Sequence, residues 1–200
     1  AQHRARPAPG IHNVRNALAA IIVGLDLQLD FARVCRALAG FGGVQRRFQL
    51  VGEIGNVTVI DDYAHHPTEI RATLAAARQR YPGRRLWAVW QPHTFSRTRL
   101  LADEFAASFT AADRVVALDI YRSREAEDPS ESPITTTDVI GRMAQPPAIH
   151  IPDRRAAADY LLERVNPGDV ILTLGAGDGD MVGRWLLEAL ERQRGVASGK

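Results

Sequence analysis

The alternation of β-branched segments with helical segments is the feature that most constrains the fold of this chain. Apolar, β-branched runs typical of strands occur at 56–61, 86–90, 114–118, 148–151 and 170–174. Helical patterns follow them at 67–81, 102–112, 137–143, 153–164 and 181–192. Strands joined through helices of this length are parallel, because a parallel pair needs a long crossover. The sequence therefore predicts a Rossmann-like α/β fold, with a mostly parallel sheet and helices on both faces.

A cluster of glycines, Gly40, Gly42 and Gly43, interrupts this pattern and predicts a domain boundary near Val44. An apolar helix over 17–23 and a second helix, which Asp30 can cap, precede the boundary. Strands at 46–53 and 56–61, joined at Gly55-Asn56 as in a hairpin, follow it. We expect a helical segment over 1–44, an α/β domain over 45–195 and a tail over 196–200.

The charge balance excludes some classes of partner. With 25 basic and 23 acidic residues the net charge is +2, which argues against a nucleic-acid or membrane-surface protein. Cys35 is the only cysteine, so no intrachain disulfide can form, and a reducing, cytoplasmic location is expected. The longest apolar run, 17–25, is too short to cross a bilayer. The chain begins with Ala1 rather than Met, and we expect it to be part of a longer protein.

Titratable side chains are concentrated where the strand at 56–61 ends. Asp61, Asp62, Tyr63, His65 and His66 lie between this strand and the helix that begins at Pro67. Open α/β sheets bind ligands at the carboxyl ends of their strands. Asp62 with His65 could hold a ribose or a metal-bound phosphate, or orient an imidazole. The alternative is a solvated loop that caps a helix.

A second polar loop follows the strand at 86–90 and carries His93, Arg97 and Arg99. At the same sheet edge as residues 61–67, these side chains would form a positive pocket for an anion. Alternatively, the two arginines are the solvated start of a helix. Arg78, on a helix body, is expected to tolerate alanine with little loss of turnover.

Three weaker patterns also suit a nucleotide. Asn13 and Asn16 share a helix face and carry amides that can read a purine edge, although these two residues alone favour a helix cap and a polar face. Arg46 and Arg47 suit a phosphate, or are an exposed basic pair. The glycine-rich turn at 175–179 is similar to a phosphate-binding turn. We favour a structural role for this turn, because glycine is often needed only for positive φ and Asp178 would repel an anion.

Five motifs, taken together and in this order, resemble the Mur ligases. They are Gly10-x-His12-Asn13-x-x-Asn16-Ala17, Gly43-Val44-x-Arg46-Arg47-Phe48, Asp61-Asp62-Tyr63-Ala64-His65-His66-Pro67-Thr68-Glu69-Ile70, Gln91-Pro92-His93-Thr94-Phe95-Ser96-Arg97-Thr98 and Thr173-Leu174-Gly175-Ala176-Gly177-Asp178. The resemblance covers nearly the whole chain. Its second and third motifs look more like the alanine-adding members of the family than the members that attach murein tripeptide.

The resemblance implies that residues 1–44 end a central ATP-binding domain and that residues 45–195 are the third, C-terminal domain. It implies ATP-dependent formation of a peptide bond between UDP-N-acetylmuramate and L-alanine, through an acyl phosphate, in peptidoglycan precursor synthesis. The partners are then the missing N-terminal and central domains. These would also supply the phosphate loop and most Mg²⁺ ligands, so the chain is expected to be inactive alone. A stand-alone α/β ligand-binding module is the alternative of another class.

The resemblance also assigns residues. Asn13 and Asn16 would contact adenine, and Arg47 and Asp62 the ribose and phosphates of ATP. The substrate-binding residues would be Tyr63, His65, His66, His93 and Arg97, of which His65 and Arg97 would be catalytic. Some members of the family have arginine in place of Thr94, so the positive pocket is expected to be weaker in this chain.

Overall fold

The computed structural model describes residues 10–41, 44–125 and 133–198, in which six strands form one sheet. The strands are β1 (Gln49–Ile54), β2 (Val57–Asp62), β3 (Leu86–Trp90), β4 (Arg114–Ala117), β5 (Ala148–His150) and β6 (Val170–Leu174). The helices are α1 (Ile11–Asp26), α2 (Phe31–Ala39), α3 (Pro67–Arg80), α4 (Phe95–Leu100), α5 (Ala102–Ala106), α6 (Thr136–Ile140), α7 (Arg154–Leu162) and α8 (Asp180–Ser198).

The sheet has the order β1-β2-β6-β3-β4-β5 and is parallel except at one edge. Only β1 is antiparallel, and it joins β2 through a tight turn at Gly55 and Asn56. Both turn residues have positive φ, 60° and 63°, which matches the right-handed twist of a two-residue hairpin. The predicted mostly parallel α/β fold is confirmed.

Helices cover both faces of the sheet because the central strands are buried on both sides. Side chains alternate along each strand, so that Ile60 and Leu172 belong to one core and Val59 and Ile171 to the other. The first core includes side chains of α3, α5 and α6, and the second includes side chains of α7 and α8. The predicted two-sided arrangement is therefore confirmed.

Strand β6 creates a crevice because it is inserted between β2 and β3. The chain leaves β2 through α3 on one face and leaves β6 through α8 on the other face. Loops that depart to opposite faces open a gap at the carboxyl ends of neighbouring strands, which is where doubly wound sheets bind ligands. We call the gap between the carboxyl ends of β2, β6 and β3 the crevice.

Helices α1 and α2 pack mainly on each other. Asp30 caps α2, as predicted, by accepting a hydrogen bond from Arg33 N at 2.8 Å. Val34 is the buried contact of α2, whereas Leu18, Ile22 and Phe31 are 53%, 66% and 55% exposed. The predicted boundary near Val44 stays a prediction, and Gly42 and Gly43 lie outside the described residues. At the other end, α8 includes 196–198 of the predicted tail, and residues 199–200 are not described.

Two of the sequence-based bounds are wrong. The helix predicted at 102–112 begins at Ala102 as α5 but ends at Ala106, and a separate helix, α4, precedes it at Phe95–Leu100. The polar side chains of this stretch had predicted a loop. The strand predicted from residue 46 begins at Gln49, because residues 45–48 form a turn in which Arg46 and Phe48 have positive φ. No helix among the described residues has the length and apolarity needed to cross a membrane.

Candidate functional site

The loops that follow β2 and β3 meet at the crevice, as predicted. The ring centroids of His65 and His93, one from each loop, lie 6.1 Å apart. Tyr63 packs edge-on against His65 at 5.2 Å. An imidazole pair and a phenol therefore line this part of the crevice.

The two aspartates at the end of β2 are buried and hold loops in place. Asp61 accepts hydrogen bonds from Arg46 Nε at 2.8 Å and from Thr173 Oγ1 at 2.7 Å. Asp62 accepts hydrogen bonds from the backbone N–H groups of Phe48 at 2.7 Å and Ala64 at 2.9 Å. Burial raises the pKa of Asp62, and these two N–H groups oppose the rise. Both carboxylates have a structural role, and a contact of Asp62 with ATP stays a prediction.

Arg46 and Arg47 differ in how many hydrogen bonds their guanidinium groups make within the protein. Arg46 donates from Nη2 to Gly175 O at 2.9 Å and from Nη1 to Gly177 O at 3.0 Å, and its Nε is bound to Asp61. Arg46 therefore holds the turn at 175–177 against the end of β2, and its guanidinium is occupied by these contacts rather than available for the suggested phosphate. Arg47 has a 48% exposed side chain and lies 3.5 Å from a carboxylate oxygen of Glu69. Arg47 is thus the better placed of the two for an anionic ligand.

The glycine turn after β6 is shaped by packing. Gln91 donates to Asp178 Oδ1 at 2.9 Å and accepts from Gly179 N at 2.8 Å, and this fixes its amide. A Cβ at Gly177 would lie 2.4 Å from Gln91 Oε1 and 2.7 Å from Tyr121 Cγ. The carbonyl groups of Gly175 and Gly177 are bound by Arg46. These contacts support the structural role that we favoured for this turn.

We expect Gly177→Ala to destabilise the fold by about 1–3 kcal/mol, because the new Cβ would overlap a fixed amide and a ring. Urea denaturation of the 200-residue chain measures this change. Gly195→Ala is the matched control, since a Cβ there has no atom within 4 Å and lies in α8. Equal stability of the two variants would contradict the packing role of Gly177.

The two histidines after β2 have different tautomers and roles. Nδ1 of His65 lies 2.9 Å from Tyr63 O, and a carbonyl can only accept, so this nitrogen carries the hydrogen. Nε2 of a neutral His65 then has a lone pair for a proton. His66 instead caps α3, because its Nδ1 accepts from Thr68 N at 3.3 Å. His65 suits a general base, and the helix-cap alternative describes His66.

Glu69 anchors this histidine pair from the first turn of α3. Its Oε2 accepts hydrogen bonds from His65 N at 3.0 Å and His66 N at 3.2 Å. Burial alone would raise the pKa of Glu69, but these N–H groups and the charge of Arg47 hold it below the usual value. The ionised carboxylate therefore stabilises the loop that carries both imidazoles.

His93 and Arg97 contribute two buried polar atoms that lack partners. Within the described residues, neither Nδ1 of His93 nor Nη1 of Arg97 has a hydrogen-bond partner. Burial lowers the pKa of His93, and the positive charge of Arg97 lowers it further. Buried polar atoms are rarely left unpaired, since each costs about 1–3 kcal/mol. A third such atom, Trp90 Nε1, belongs to a side chain packed between Phe105 and Phe109 in the core.

Sequence reasoning assigned no role to three residues that shape the crevice: Gln91, Tyr121 and Glu125. The Tyr121 ring stacks on His93 with centroids 5.6 Å apart. Glu125 accepts hydrogen bonds from the first N–H groups of α4. Strand β4 ends at the same edge of the sheet as β2 and β3, so the loop after β4 begins there. This placement could have indicated a role for Tyr121 and Glu125.

The residues predicted to contact adenine lie in the N-terminal helices. Asn13 and Asn16 are in the first turns of α1, whose packing is mainly with α2, and their contact with adenine stays a prediction. The described residues contain no group of three or more His, Cys, Asp or Glu side chains that could hold a metal ion. The groups that the described residues bring to the crevice are imidazole, phenol and guanidinium groups.

Known proteins resemble this chain in sequence and in fold. A family model described as Mur ligase, glutamate ligase domain, matches residues 46–177. The chain is 45% identical to UDP-N-acetylmuramate–L-alanine ligase of Desulforamulus reducens over 92% of its length, and 50% identical to that of Salinibacter ruber over 94%. It spans 40% of each of these curated relatives. The crystal structure of UDP-N-acetylmuramate–alanine ligase from Thermotoga maritima matches with a TM-score of 0.74 and 30% identity, covering 92% of this chain and 39% of that one.

Proposed function

The chain belongs to the Mur ligase family, and from this we propose that it is the C-terminal part of an ATP-dependent UDP-N-acetylmuramate–L-alanine ligase. The observation that carries the proposal is a pair of buried atoms, His93 Nδ1 and Arg97 Nη1, that have no partner among the described residues, with the His93 ring 6.1 Å from the His65 ring. A negatively charged acyl phosphate and an amino acid would supply the partners that these groups lack. The substrates proposed here, UDP-N-acetylmuramate and L-alanine, are those in the names of the relatives.

The proposed reaction has two steps. In the first step, the γ-phosphoryl group of ATP is transferred to a carboxylate oxygen of UDP-N-acetylmuramate, which yields an acyl phosphate and ADP. In the second step, the amine of L-alanine attacks the acyl carbon, the bond to the phosphate oxygen breaks, and an amide and inorganic phosphate form. The attacking amine must be neutral, so one proton has to leave it.

Two side chains have chemistry that suits the second step. The Arg97 guanidinium would stabilise negative charge on the acyl phosphate, and the tetrahedral oxygen that develops beside it. His65 would take the proton from the amine at Nε2, since its Nδ1 hydrogen is directed to Tyr63 O. His93 and Tyr63 complete the pocket around the amino acid, whereas His66 acts through the start of α3.

The nucleotide contacts are proposed from fewer observations. Arg47 has an exposed guanidinium beside the crevice, which suits a phosphate oxygen of ATP. Asp62 would reach the ribose through the second lone pair of a carboxylate oxygen. Asn13 and Asn16 would meet adenine. Mg²⁺ would stabilise phosphate charge, but the described residues provide no ligand cluster for it, so its ligands would come from the upstream domains.

We further propose that residues 1–44 end the central ATP-binding domain, that residues 45–195 are the C-terminal domain, and that the enzyme is cytoplasmic. The exposed apolar side chains of α1 and α2 support the first assignment, because such a surface suits packing against more protein. The two N-terminal helices would then bring Asn13 and Asn16 to a nucleotide held between domains.

The substrate choice is tested with the longer protein that contains this chain. ADP release is measured with Mg-ATP, UDP-N-acetylmuramate and, in turn, L-alanine, glycine or murein tripeptide. We expect release with L-alanine to exceed release with tripeptide. A preference for tripeptide would assign the chain to the tripeptide-attaching ligases, and no release with any nucleophile would refute the proposed function.

A further inference from the structure

The loop that follows β4 sets the position of the loop that follows β3. His93 and Tyr121 form a parallel backbone bridge beyond the ends of the strands. Thr94 N donates to Tyr121 O at 2.9 Å, and Tyr121 N donates to Pro92 O at 2.8 Å. The stacked rings of His93 and Tyr121 reinforce this pairing. Any displacement of the β4 loop would therefore move His93.

Glu125, in the same β4 loop, supplies the cap that α4 lacks. Thr94 is the N-cap residue of α4, makes no side-chain cap hydrogen bond and has a φ of 69°, which is uncommon for a β-branched residue. The Glu125 carboxylate accepts hydrogen bonds from Phe95 N and from Ser96 N, the latter at 3.1 Å. The Ser96 side chain and these N–H groups hold the pKa of Glu125 below its usual value.

The first turn of α4 carries Arg97, only one residue after Ser96. The orientation of this turn determines the direction of Arg97 Nη1, which has no partner among the described residues. The residues just before the helix determine the direction of the His93 ring. We propose that Glu125 is a positioning residue, whose carboxylate fixes the start of α4 so that Arg97 and His93 face the acyl phosphate and the amino acid. This proposal rests on the proposed function.

A carboxylate suits this position better than a neutral amide. Phe95 N donates to Oε2 of Glu125, whereas Ser96 N lies 3.1 Å from Oε1 and 3.3 Å from Oε2, so the two N–H groups use both carboxylate oxygens. A glutamine has one carbonyl oxygen, and its NH₂ group would face an N–H donor. Arg97, Arg99 and Arg122 lie in or against this helix start, so the negative charge also balances their repulsion.

Glu125→Gln is the test, and Asp138→Asn is its matched control. Asp138 also accepts hydrogen bonds at the start of a short helix, α6, where it binds Thr135 N at 2.8 Å. In the longer ligase we expect Glu125→Gln to raise KM for L-alanine at least tenfold and to leave KM for Mg-ATP within twofold. Asp138→Asn should leave both values within twofold. A merely destabilised fold would not separate the two KM values.

Amide hydrogen exchange in the 200-residue chain provides a readout that does not depend on activity. We expect the Phe95 and Ser96 amides to exchange at least tenfold faster in Glu125→Gln than in the parent chain, and to be unchanged in Asp138→Asn. Unchanged exchange at both amides would overturn the positioning role, and so would faster exchange with an unaltered KM for L-alanine. An inactive longer protein would refute the proposed function, while the exchange measurement would still decide the capping role of Glu125.

Discussion

Arg97→Ala in the longer ligase is expected to lower kcat/KM for L-alanine more than tenfold. The Arg97 Nη1 atom is buried and has no partner among the described residues, so it is available for a ligand. A charge-assisted hydrogen bond from such a group contributes about 1.5–3 kcal/mol. A tenfold loss corresponds to about 1.4 kcal/mol in the transition-state free energy. Steady-state kinetics with L-alanine as the varied substrate measures the effect.

The control for this variant is Arg114→Ala. Arg114 is exposed at the first residue of β4, at the sheet edge opposite the crevice, and is expected to change kcat/KM less than twofold. Arg78, which the sequence suggested as a neutral position, is a poor control. Its guanidinium donates to Ala111 O at 2.7 Å and to Arg84 O at 2.8 Å, so its removal would weaken the fold. Equal kinetics of Arg97→Ala and Arg114→Ala would exclude Arg97 from the site.

The second large effect concerns the chain by itself, which is expected to bind Mg-ATP no tighter than about 100 μM. Phosphate loops provide a row of backbone N–H groups, a lysine and a hydroxyl group for the metal. No G-x-x-x-x-G-K-[ST] motif occurs in the sequence, and its single lysine is Lys200. The described residues contain no cluster of three or more His, Cys, Asp or Glu side chains that could hold a metal ion, and Arg47 is the one exposed guanidinium that we assign to phosphate.

Titration calorimetry of the 200-residue chain with Mg-ATP measures this affinity. The longer protein is the matched comparison and is expected to bind Mg-ATP at least tenfold more tightly. A dissociation constant in the low micromolar range for the chain alone would show that the C-terminal part holds the nucleotide without a phosphate loop. The assignment of nucleotide binding to the upstream domains would then be withdrawn.

Much of the fold could be predicted because each strand and helix has a local signal. The strand at Val170–Leu174 is a run of apolar and β-branched residues between Asp169 and Gly175, and its predicted bounds match the structure. Pro67 at a first helical position and Asp153 as a cap predicted the starts of α3 and α7. The meeting of the loops after β2 and β3 followed from the parallel direction of their strands.

The roles of several charged residues could not be predicted, because they depend on partners distant in the sequence. Arg46 binds carbonyl groups of the turn at 175–177, and Glu125 binds the start of α4. Arg84 donates from Nε to Gly168 O at 2.6 Å and from Nη2 to Asn56 O at 2.8 Å, and so joins two loops. In the sequence, an arginine that binds a ligand cannot be told from one that binds a backbone carbonyl group. Only the folded structure shows which partner each arginine has.

The central claim is that this chain completes an enzyme that activates the muramate carboxylate as an acyl phosphate. The most direct measurement uses UDP-N-acetylmuramate labelled with ¹⁸O in that carboxylate, together with Mg-ATP, L-alanine and the longer protein. Because the attacking amine displaces the phosphate together with one carboxylate oxygen, the released phosphate should contain one ¹⁸O atom by mass spectrometry. Unlabelled phosphate, released while the alanine amide accumulates, would contradict the account.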